Sequence, residues 1–167
     1  MRVSGQASAI PVETRDAILQ DWLLQAVHTY PEQAVQTLLD VRDPFHNAVG
    51  CALHEGLPPL LDAVLTDDWP EGVGTVLDRL VRIRAVQDFT ASRAISFLLL
   101  LKPVLRARLA ESKCRMEALE DRVDRLMLMA FDLFTDCRDR TRQIQLNEAR
   151  RSVYVSAARA DRGGPGR

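Results

Sequence analysis

The sequence predicts an all-α protein, with one bundle-like helical domain and a long C-terminal helix that projects from it. Three observations support this prediction. Apolar residues recur at helical spacing, and the two-residue alternation of strands is absent. β-branched residues, which favour strands, are sparse. The last segment changes from apolar to arginine-rich, which indicates a helix that leaves the core.

Length and composition indicate a globular domain and argue against nucleic-acid-binding and membrane-spanning proteins. A chain of 167 residues with 47% hydrophobic and 27% charged residues is expected to form one globular domain. Its net charge of −1 argues against non-specific nucleic-acid binding, which needs clustered positive charge. The longest apolar run, Ala94–Leu101, is too short to span a membrane and predicts a buried helix. With no signal peptide evident, we expect a cytoplasmic protein.

The first part of the chain predicts two helices. Residues 1–11 are small and polar, and we expect them to be disordered. A first amphipathic helix is predicted from about Val12 to His28. Thr29-Tyr30-Pro31-Glu32 resembles a capping box, which predicts a second helix through about Leu39. Asp43-Pro44 then breaks the chain, because the residue before a proline avoids helical angles.

The middle of the chain is helical but interrupted. Asn47–Leu65 carries Pro58-Pro59 inside it, which leaves open two short helices or one sharply bent helix. Asp68-Trp69-Pro70-Glu71 has the form of an N-terminal cap, and a fourth helix is predicted from about Glu71 to Val86.

Two further helices complete the predicted domain, 12–158. Thr90 is the expected cap of the fifth helix, which runs to about Ala110 with a kink at Pro103. The last helix is predicted from about Cys114 to Ala158, and residues 159–167 are expected to fray. Such a helix is about 65 Å long, whereas a compact domain of this size has a radius of gyration of about 15 Å. Its own domain therefore cannot cover it.

The last helix supplies the predicted interface with a partner or a second copy. Its apolar residues would pack against the other chain. The polar residues near its end are not needed in the core of this chain, which makes them candidates for the same interface. A solvated helix face is the alternative reading of the polar set. The apolar candidates are Leu126, Leu133, Phe134 and Ile144, and the polar candidates are Asn147, Glu148, Arg150 and Arg151. Asp136–Arg140, Asp139–Arg142 and Glu148–Arg151 are spaced to pair along the helix, but each pair is weak.

A charged cluster precedes the corner between the fourth and fifth helices. It consists of Arg82, Arg84, Gln87 and Asp88. These residues could bind an anionic ligand or a partner. Alternatively they form a solvated face, with Asp88 helping to cap the next helix, and we favour this structural role.

Metal and cofactor sites find little support. Among the possible ligands only His46, Cys51 and His54 cluster, whereas a structural zinc site takes four ligands. Haem needs an axial ligand that faces a large apolar pocket, and neither His28 nor His54 lies in a strongly apolar run. No metal, cofactor or catalytic residue is therefore predicted, and an enzyme is not expected.

The three cysteines do not form a disulfide framework, because their number is odd and their spacing wide. Cys137 lies beside Arg138 and near Arg140, which could lower the pKa of an exposed thiol. However, Cys137 also continues the inward stripe of the last helix, and a buried, inert thiol is the preferred interpretation.

Two long segments, Arg82–Lys102 and Ala130–Arg151, resemble the N-terminal domain of RsbRD-type proteins, the RsbT co-antagonist family. The resemblance lies in the Arg-Ala-Val-Gln-Asp-Phe corner at Arg84–Phe89 and in Ala-Phe-Asp-Leu-Phe-x-x-Cys-Arg at Ala130–Arg138 followed by Asn147-Glu148. A weaker match is Asp43–Gly50.

The resemblance implies a globin-like, non-haem input domain of stressosome proteins. Such domains form dimers and pass a stress signal through a C-terminal linker helix to a STAS domain. Only 16 residues follow Arg151 here, so this chain is expected to lack that output module. We therefore predict a signalling or adaptor module that dimerises through the fourth-to-sixth helix region and the projecting helix. The alternative is a sensor that binds haem or an apolar small molecule between its helices.

Overall fold

The computed structural model describes residues 10–40, 42, 47–66, 69, 72–87, 89–110 and 113–162; for 113–114 and 153–162 this covers the helical backbone. Every regular element in these residues is a helix, which confirms the predicted fold class. None of the described helices is long and apolar enough to cross a membrane. The helices are α1 (Val12–Val27), α2 (Glu32–Leu39), α3 (Ala48–Leu65), α4 (Val73–Val86), α5 (Ala91–Leu99), α6 (Leu101–Arg108) and α7 (Lys113–Arg162).

One hydrophobic core connects these helices. α7 packs against α4 and α5, α4 also packs against α3, and α1 lies against α3 and α6. Each helix contributes an apolar face with the spacing that the sequence shows, so burial of apolar surface stabilises all of them together. The largest fully buried apolar side chains include Trp22, Leu57, Leu77, Phe97 and Leu105.

The predicted capping box at Thr29–Glu32 is wrong. Pro31 occupies the N-cap position of α2, and no side chain caps that end. The hydroxyl of Thr29 donates instead to the carbonyl of Ala26 at 2.7 Å. Thr29 therefore caps the C-terminal end of α1, where the last carbonyls have no partner within the helix.

The link between α2 and α3 depends on one buried amide, Asn47. Its Oδ1 accepts a hydrogen bond from the backbone N–H of Gly50 at 2.9 Å, which caps α3. Its Nδ2 donates to the carbonyls of Thr37 and Asp40, each at 2.6 Å. A Cβ on Gly50 would lie 2.3 Å from the Leu38 carbonyl oxygen and from Asn47 Nδ2, so only glycine fits this approach.

α3 is a single continuous helix with Pro58 and Pro59 inside it, so the alternative of two separate helices is wrong. α4 begins at Val73, two residues after the predicted start. Its N-cap, Gly72, has a φ of 94°, a left-handed angle that favours glycine. The predicted cap residues Asp68 and Glu71 lie outside the described residues.

The predicted fifth helix is two helices. Thr90 caps α5 as expected, since its hydroxyl accepts from the N–H of Arg93. The regular helix is interrupted at Leu100, whose backbone keeps right-handed helical angles (φ −64°, ψ −18°), and α6 begins at Leu101. Pro103 has no N–H for the carbonyl four residues earlier and its ring crowds that carbonyl, so the break falls just before the proline.

α7 is continuous over 50 residues, from Lys113 to Arg162, and is about 75 Å long. It begins one residue before its predicted start and extends four residues past its predicted end. The ends for which we predicted disorder or fraying fall largely outside the described residues, at 1–9 and 163–167.

Candidate functional site

The predicted site residues occupy two separate places. The described residues of the charged cluster, Arg82, Arg84 and Gln87, lie near the end of α4, and Arg84 also contacts the end of α1. The interface candidates lie along α7, some against the core and some in solvent. Arg84 at the corner is buried, whereas the outer residues of α7 are exposed and accessible to a partner.

At the corner, Arg84 is buried, with 1% of its surface exposed. Its Nη2 donates to the Thr29 hydroxyl at 3.0 Å and to the Ala26 carbonyl at 3.4 Å, both at the end of α1. Its Nη1 lies 3.5 Å from the Arg93 carbonyl of α5. Arg84 therefore joins α4 and α5 to the end of α1, which lies more than 50 residues earlier in the sequence.

Aromatic rings surround the Arg84 guanidinium. Its central carbon lies 4.6 Å from the ring centre of Phe97, 4.8 Å from that of Tyr30 and 5.7 Å from that of Phe89. Ring faces attract a cation and partly replace the water that burial removes. Burial lowers the pKa of Arg84 and raises that of Tyr30, but a guanidinium stays protonated in proteins.

One donor of Arg84, Nε, is buried without a hydrogen-bond partner among the described residues. The favoured prediction of a solvated face is wrong for Arg84, which belongs to the core. One signal in the sequence could have revealed this position: Leu77, Leu80 and Arg84 follow one another at helical spacing on the buried face of α4.

The other members of the cluster do not join Arg84. Arg82 is exposed, and its Nε donates to Asp78 at 2.6 Å, one turn earlier on the same helix. Gln87 is exposed at the C-cap of α4. Asp88 lies outside the described residues. The described residues of the cluster therefore do not converge on a single binding site.

The inner part of α7, residues 115–137, packs on the globule. Leu126 is fully buried and Phe134 is 7% exposed, so both belong to the core of this chain. Leu133 and Cys137 are half-buried against that core. Ion pairs anchor this part to α6: Lys102 to Asp124 at 2.7 Å and Arg106 to Glu120 at 2.6 Å.

The outer part of α7, residues 138–152, is exposed at every position. Ile144 is 59% exposed and Leu146 48%. Of the predicted pairs along this part, Asp139–Arg142 is present, at 3.6 Å. The polar candidates, namely Asn147, Glu148, Arg150 and Arg151, all face solvent. Their role in an interface stays a prediction.

Two surface depressions adjoin α7. A groove of about 300 Å³ separates the end of α4, at Val86, from Arg138 and Gln145 of α7. A more apolar recess of about 420 Å³ lies on the inner part, lined by Trp69, Arg125, Leu128 and Met129. Leu128 is 69% exposed beside it. Sequence reasoning missed this recess, because Trp69 approaches α7 only through the tertiary fold.

The metal and haem candidates are dispersed. Cys51 and His54 are half-buried on α3, and His46 lies outside the described residues. In the described ranges no three His, Cys, Asp or Glu side chains are placed to hold a metal ion. His28 is exposed, with its Nδ1 2.7 Å from the Leu24 carbonyl. His54 Nε2 is buried without a partner in those ranges, and burial lowers the pKa of His54.

Comparison with known proteins identifies the family. Curated proteins and solved structures give no match to this chain. The family model for the RsbT co-antagonist protein rsbRD N-terminal domain matches residues 16–149. This match extends from α1 into the outer part of α7. It includes the whole of Arg82–Lys102 and all but the last two residues of Ala130–Arg151. The chain therefore belongs to the family of RsbT co-antagonist protein rsbRD N-terminal domains.

Proposed function

We propose that this chain is a non-enzymatic signalling or adaptor domain of stressosome type that acts in the cytoplasm as a homodimer. In this proposal the packed helices receive the signal and the outer part of α7 presents it to a protein partner. Membership of the family supports a signalling input domain. The observation that carries the proposal further is that every residue from 138 to 152 is exposed in a continuous helix.

The physical argument concerns the stability of the outer part of α7. An isolated helix of this length is marginal in water, because nucleation is costly and each side-chain pair adds only a few tenths of a kcal/mol. The described pairs within residues 138–152 are exposed, such as Asp139–Arg142 and the hydrogen bond from Gln143 to Asn147. A bound protein would cover this helix and stabilise it. Helix faces of this kind are common recognition elements.

The two parts of α7 are connected by unbroken helix. The inner part is held by core side chains such as Val123, Leu126 and Ala130, all fully buried. Any rearrangement of α4 or α5 against that part must move α7, because the three helices share one core. A shift in the core is thereby carried to the exposed end without a hinge between them.

Removal of Gln143–Arg167 tests the proposal. We expect the truncated chain to keep its helical circular dichroism and its cooperative melting, but to lose the partner that the intact chain captures from a lysate of the source cells. Arg79→Ala, which changes an exposed arginine on α4, is the matched control and should retain the partner. Equal capture by the intact and truncated chains would contradict the proposal.

The predicted ligand sensor remains a second prediction. An absorption spectrum of the purified protein tests its haem form directly: a Soret band that disappears in His28→Ala or His54→Ala would support it. A spectrum without such a band, in protein supplied with haem during expression, would contradict it.

A further inference from the structure

We infer that the corner between α4 and α5 binds a small oxyanion, such as phosphate or a carboxylate, between the guanidinium groups of Arg84 and Arg93. The inference goes beyond the proposed function, because it depends neither on a protein partner nor on a dimer. It adds Arg93 of α5, which was not among the predicted site residues, to the buried Arg84 of α4.

The first observation is that two positive charges lie close together. Nη2 of Arg84 donates to the Thr29 hydroxyl at 3.0 Å, and Nη2 of Arg93 donates to the Thr29 carbonyl at 3.1 Å. The ring centre of Phe89 lies 5.7 Å from the central carbon of Arg84 and 4.6 Å from that of Arg93. Burial lowers the pKa of Arg84, and the neighbouring charge of Arg93 lowers it further.

The second observation is the nature of the groups around these charges. Within the described ranges, the hydrogen-bond partners of both guanidinium groups are carbonyls and one hydroxyl. By contrast, the exposed Arg79 pairs with the carboxylate of Glu55 at 2.7 Å. A buried guanidinium without a counterion is costly, because it has lost its water and gained no opposite charge. A bound anion would offset this cost at Arg84.

The third observation is a set of unused donors. Nε of Arg84 is buried without a hydrogen-bond partner among the described residues. Arg93 is exposed, and its one described side-chain hydrogen bond leaves its other N–H groups without a partner in those residues. A guanidinium presents its N–H groups as a planar fork that matches two oxygens of one phosphate or carboxylate. This geometry favours an oxyanion over a halide.

Access to Arg84 is controlled by two aromatic rings. Tyr30 and Phe89 are each 9% exposed, whereas Phe97 is fully buried, so the first two are the outer rings around the guanidinium. Their ring centres are 5.3 Å apart. Since Nε of Arg84 is closed to solvent in this structure, one of the outer rings must turn when the ligand binds. Arg93 is exposed and makes the first contact.

A neighbouring recess is less suited to an anion. It has a volume of about 550 Å³ and is lined by His28, Tyr30, Glu32, Val35 and Gln36. The carboxylate of Glu32 repels a negative ligand there. We therefore place the oxyanion on the side of Phe89, the ring against which both guanidinium groups lie.

Nitrogen-15 NMR of the arginine side chains tests the site at the level of single atoms. The intact chain is titrated with inorganic phosphate and, separately, with acetate, and sodium chloride keeps the ionic strength constant. The Nε–H signals of both Arg84 and Arg93 should shift and saturate below about 10 mM of phosphate or acetate. The titrant that saturates at the lower concentration identifies the class of oxyanion.

Two results of this titration would overturn the inference. A shift of the Arg93 signal alone would show an adventitious ion only, held at the surface without reaching Arg84. Signals of both residues that stay unchanged, or that move equally with sodium chloride alone, would show that the corner has no oxyanion site.

Substitutions supply an independent test. Arg93→Gln removes an exposed fork and should raise the dissociation constant of the oxyanion at least about tenfold, while the Arg84 signal reports the binding. Arg84→Met should weaken binding to a similar degree, as reported by the Arg93 signal. Arg79→Gln, at an exposed arginine that already has a carboxylate partner, is the matched control and should bind like the parent chain.

Circular dichroism verifies that each variant is folded. Because Arg93 is exposed, Arg93→Gln should fold even if Arg84→Met does not, and it then decides the question by itself. An Arg93→Gln chain that binds phosphate and acetate as tightly as the parent chain would refute the proposed site.

Discussion

The inner and outer parts of α7 belong to one continuous helix, but they are stabilised in different ways. Residues 115–137 bury Leu119, Val123, Leu126, Ala130 and Phe134 in the core, whereas residues 138–152 are exposed at every position. The inner part is helical because the fold holds it. The outer part must be stabilised by its own weak side-chain pairs and by whatever covers it. In this protein, therefore, helical geometry alone does not reveal which residues contribute to stability.

Hydrogen exchange should show the largest difference between the two parts. In a chain kept monomeric by dilution, amides of residues 138–152 should exchange with little protection. Amides near Leu126 should require global unfolding and exchange at least about 10³-fold more slowly. Mass spectrometry of peptides from each part measures both rates. Equal protection in a chain shown to be monomeric would mean that the two parts unfold together.

The next largest difference should be in the free energy of unfolding, when an apolar side chain of each part of α7 is truncated to alanine. Leu126→Ala removes a fully buried side chain and should lower the free energy of unfolding by about 3 kcal/mol. Ile144→Ala, at a position that is 59% exposed, should change it by less than about 0.5 kcal/mol. Urea denaturation at equal protein concentration gives both values. A large loss for Ile144→Ala would show that the outer part packs against the globule.

A buried arginine of α4 and an exposed arginine of α7 should also differ in their contribution to stability. Arg84→Ala leaves a cavity among three rings and should lower the free energy of unfolding by about 2 kcal/mol. Arg84→Met should cost less, because methionine fills the space without burying a charge. Arg140→Ala, on the exposed outer part, is the control and should change stability by under about 0.5 kcal/mol. Thermal and urea melts that rank Arg140→Ala with Arg84→Ala would contradict this assignment.

The smallest expected effect is a pH dependence confined to the packed helices. Burial lowers the pKa of His54 in the folded state below its ordinary value of 6.5. The unfolded chain therefore binds the proton more readily, and stability decreases as the pH falls below about 6.5. His54→Gln should flatten the stability profile between pH 7 and 5. His28→Gln, which replaces an exposed imidazole, controls for the loss of a histidine. If His54→Gln leaves the dependence of stability on pH unchanged, His54 is not its source.

Local sequence was sufficient to predict most helices. The apolar spacing of Val12–Val27 and the cap at Thr90 depend on residues within a few turns, and the structure has both. The break at Leu100 was displaced from the expected kink at Pro103, because the effect of a proline falls on the preceding turn. Thr29 was assigned to the wrong helix, since it can bond to either of two helix ends and only their spatial arrangement selects one.

The candidate site was less predictable. The sequence showed that the end of α7 is polar and too long to be covered, and residues 138–152 are exposed in the structure. It did not show that Arg84 is buried among rings or that Trp69 forms a recess beside Leu128. Each of these depends on contacts between residues that are distant in the chain.

Residues close together in the chain are enough to predict the helical class, the approximate helix bounds, the family resemblance and the excess length of α7, because helix periodicity and capping are local properties. The packing of the helices settles which face of α7 is covered, where Arg84 finds its partners and what surrounds Leu128. Those outcomes depend on how the faces of several helices meet, and the spacing of residues along one helix does not contain that information.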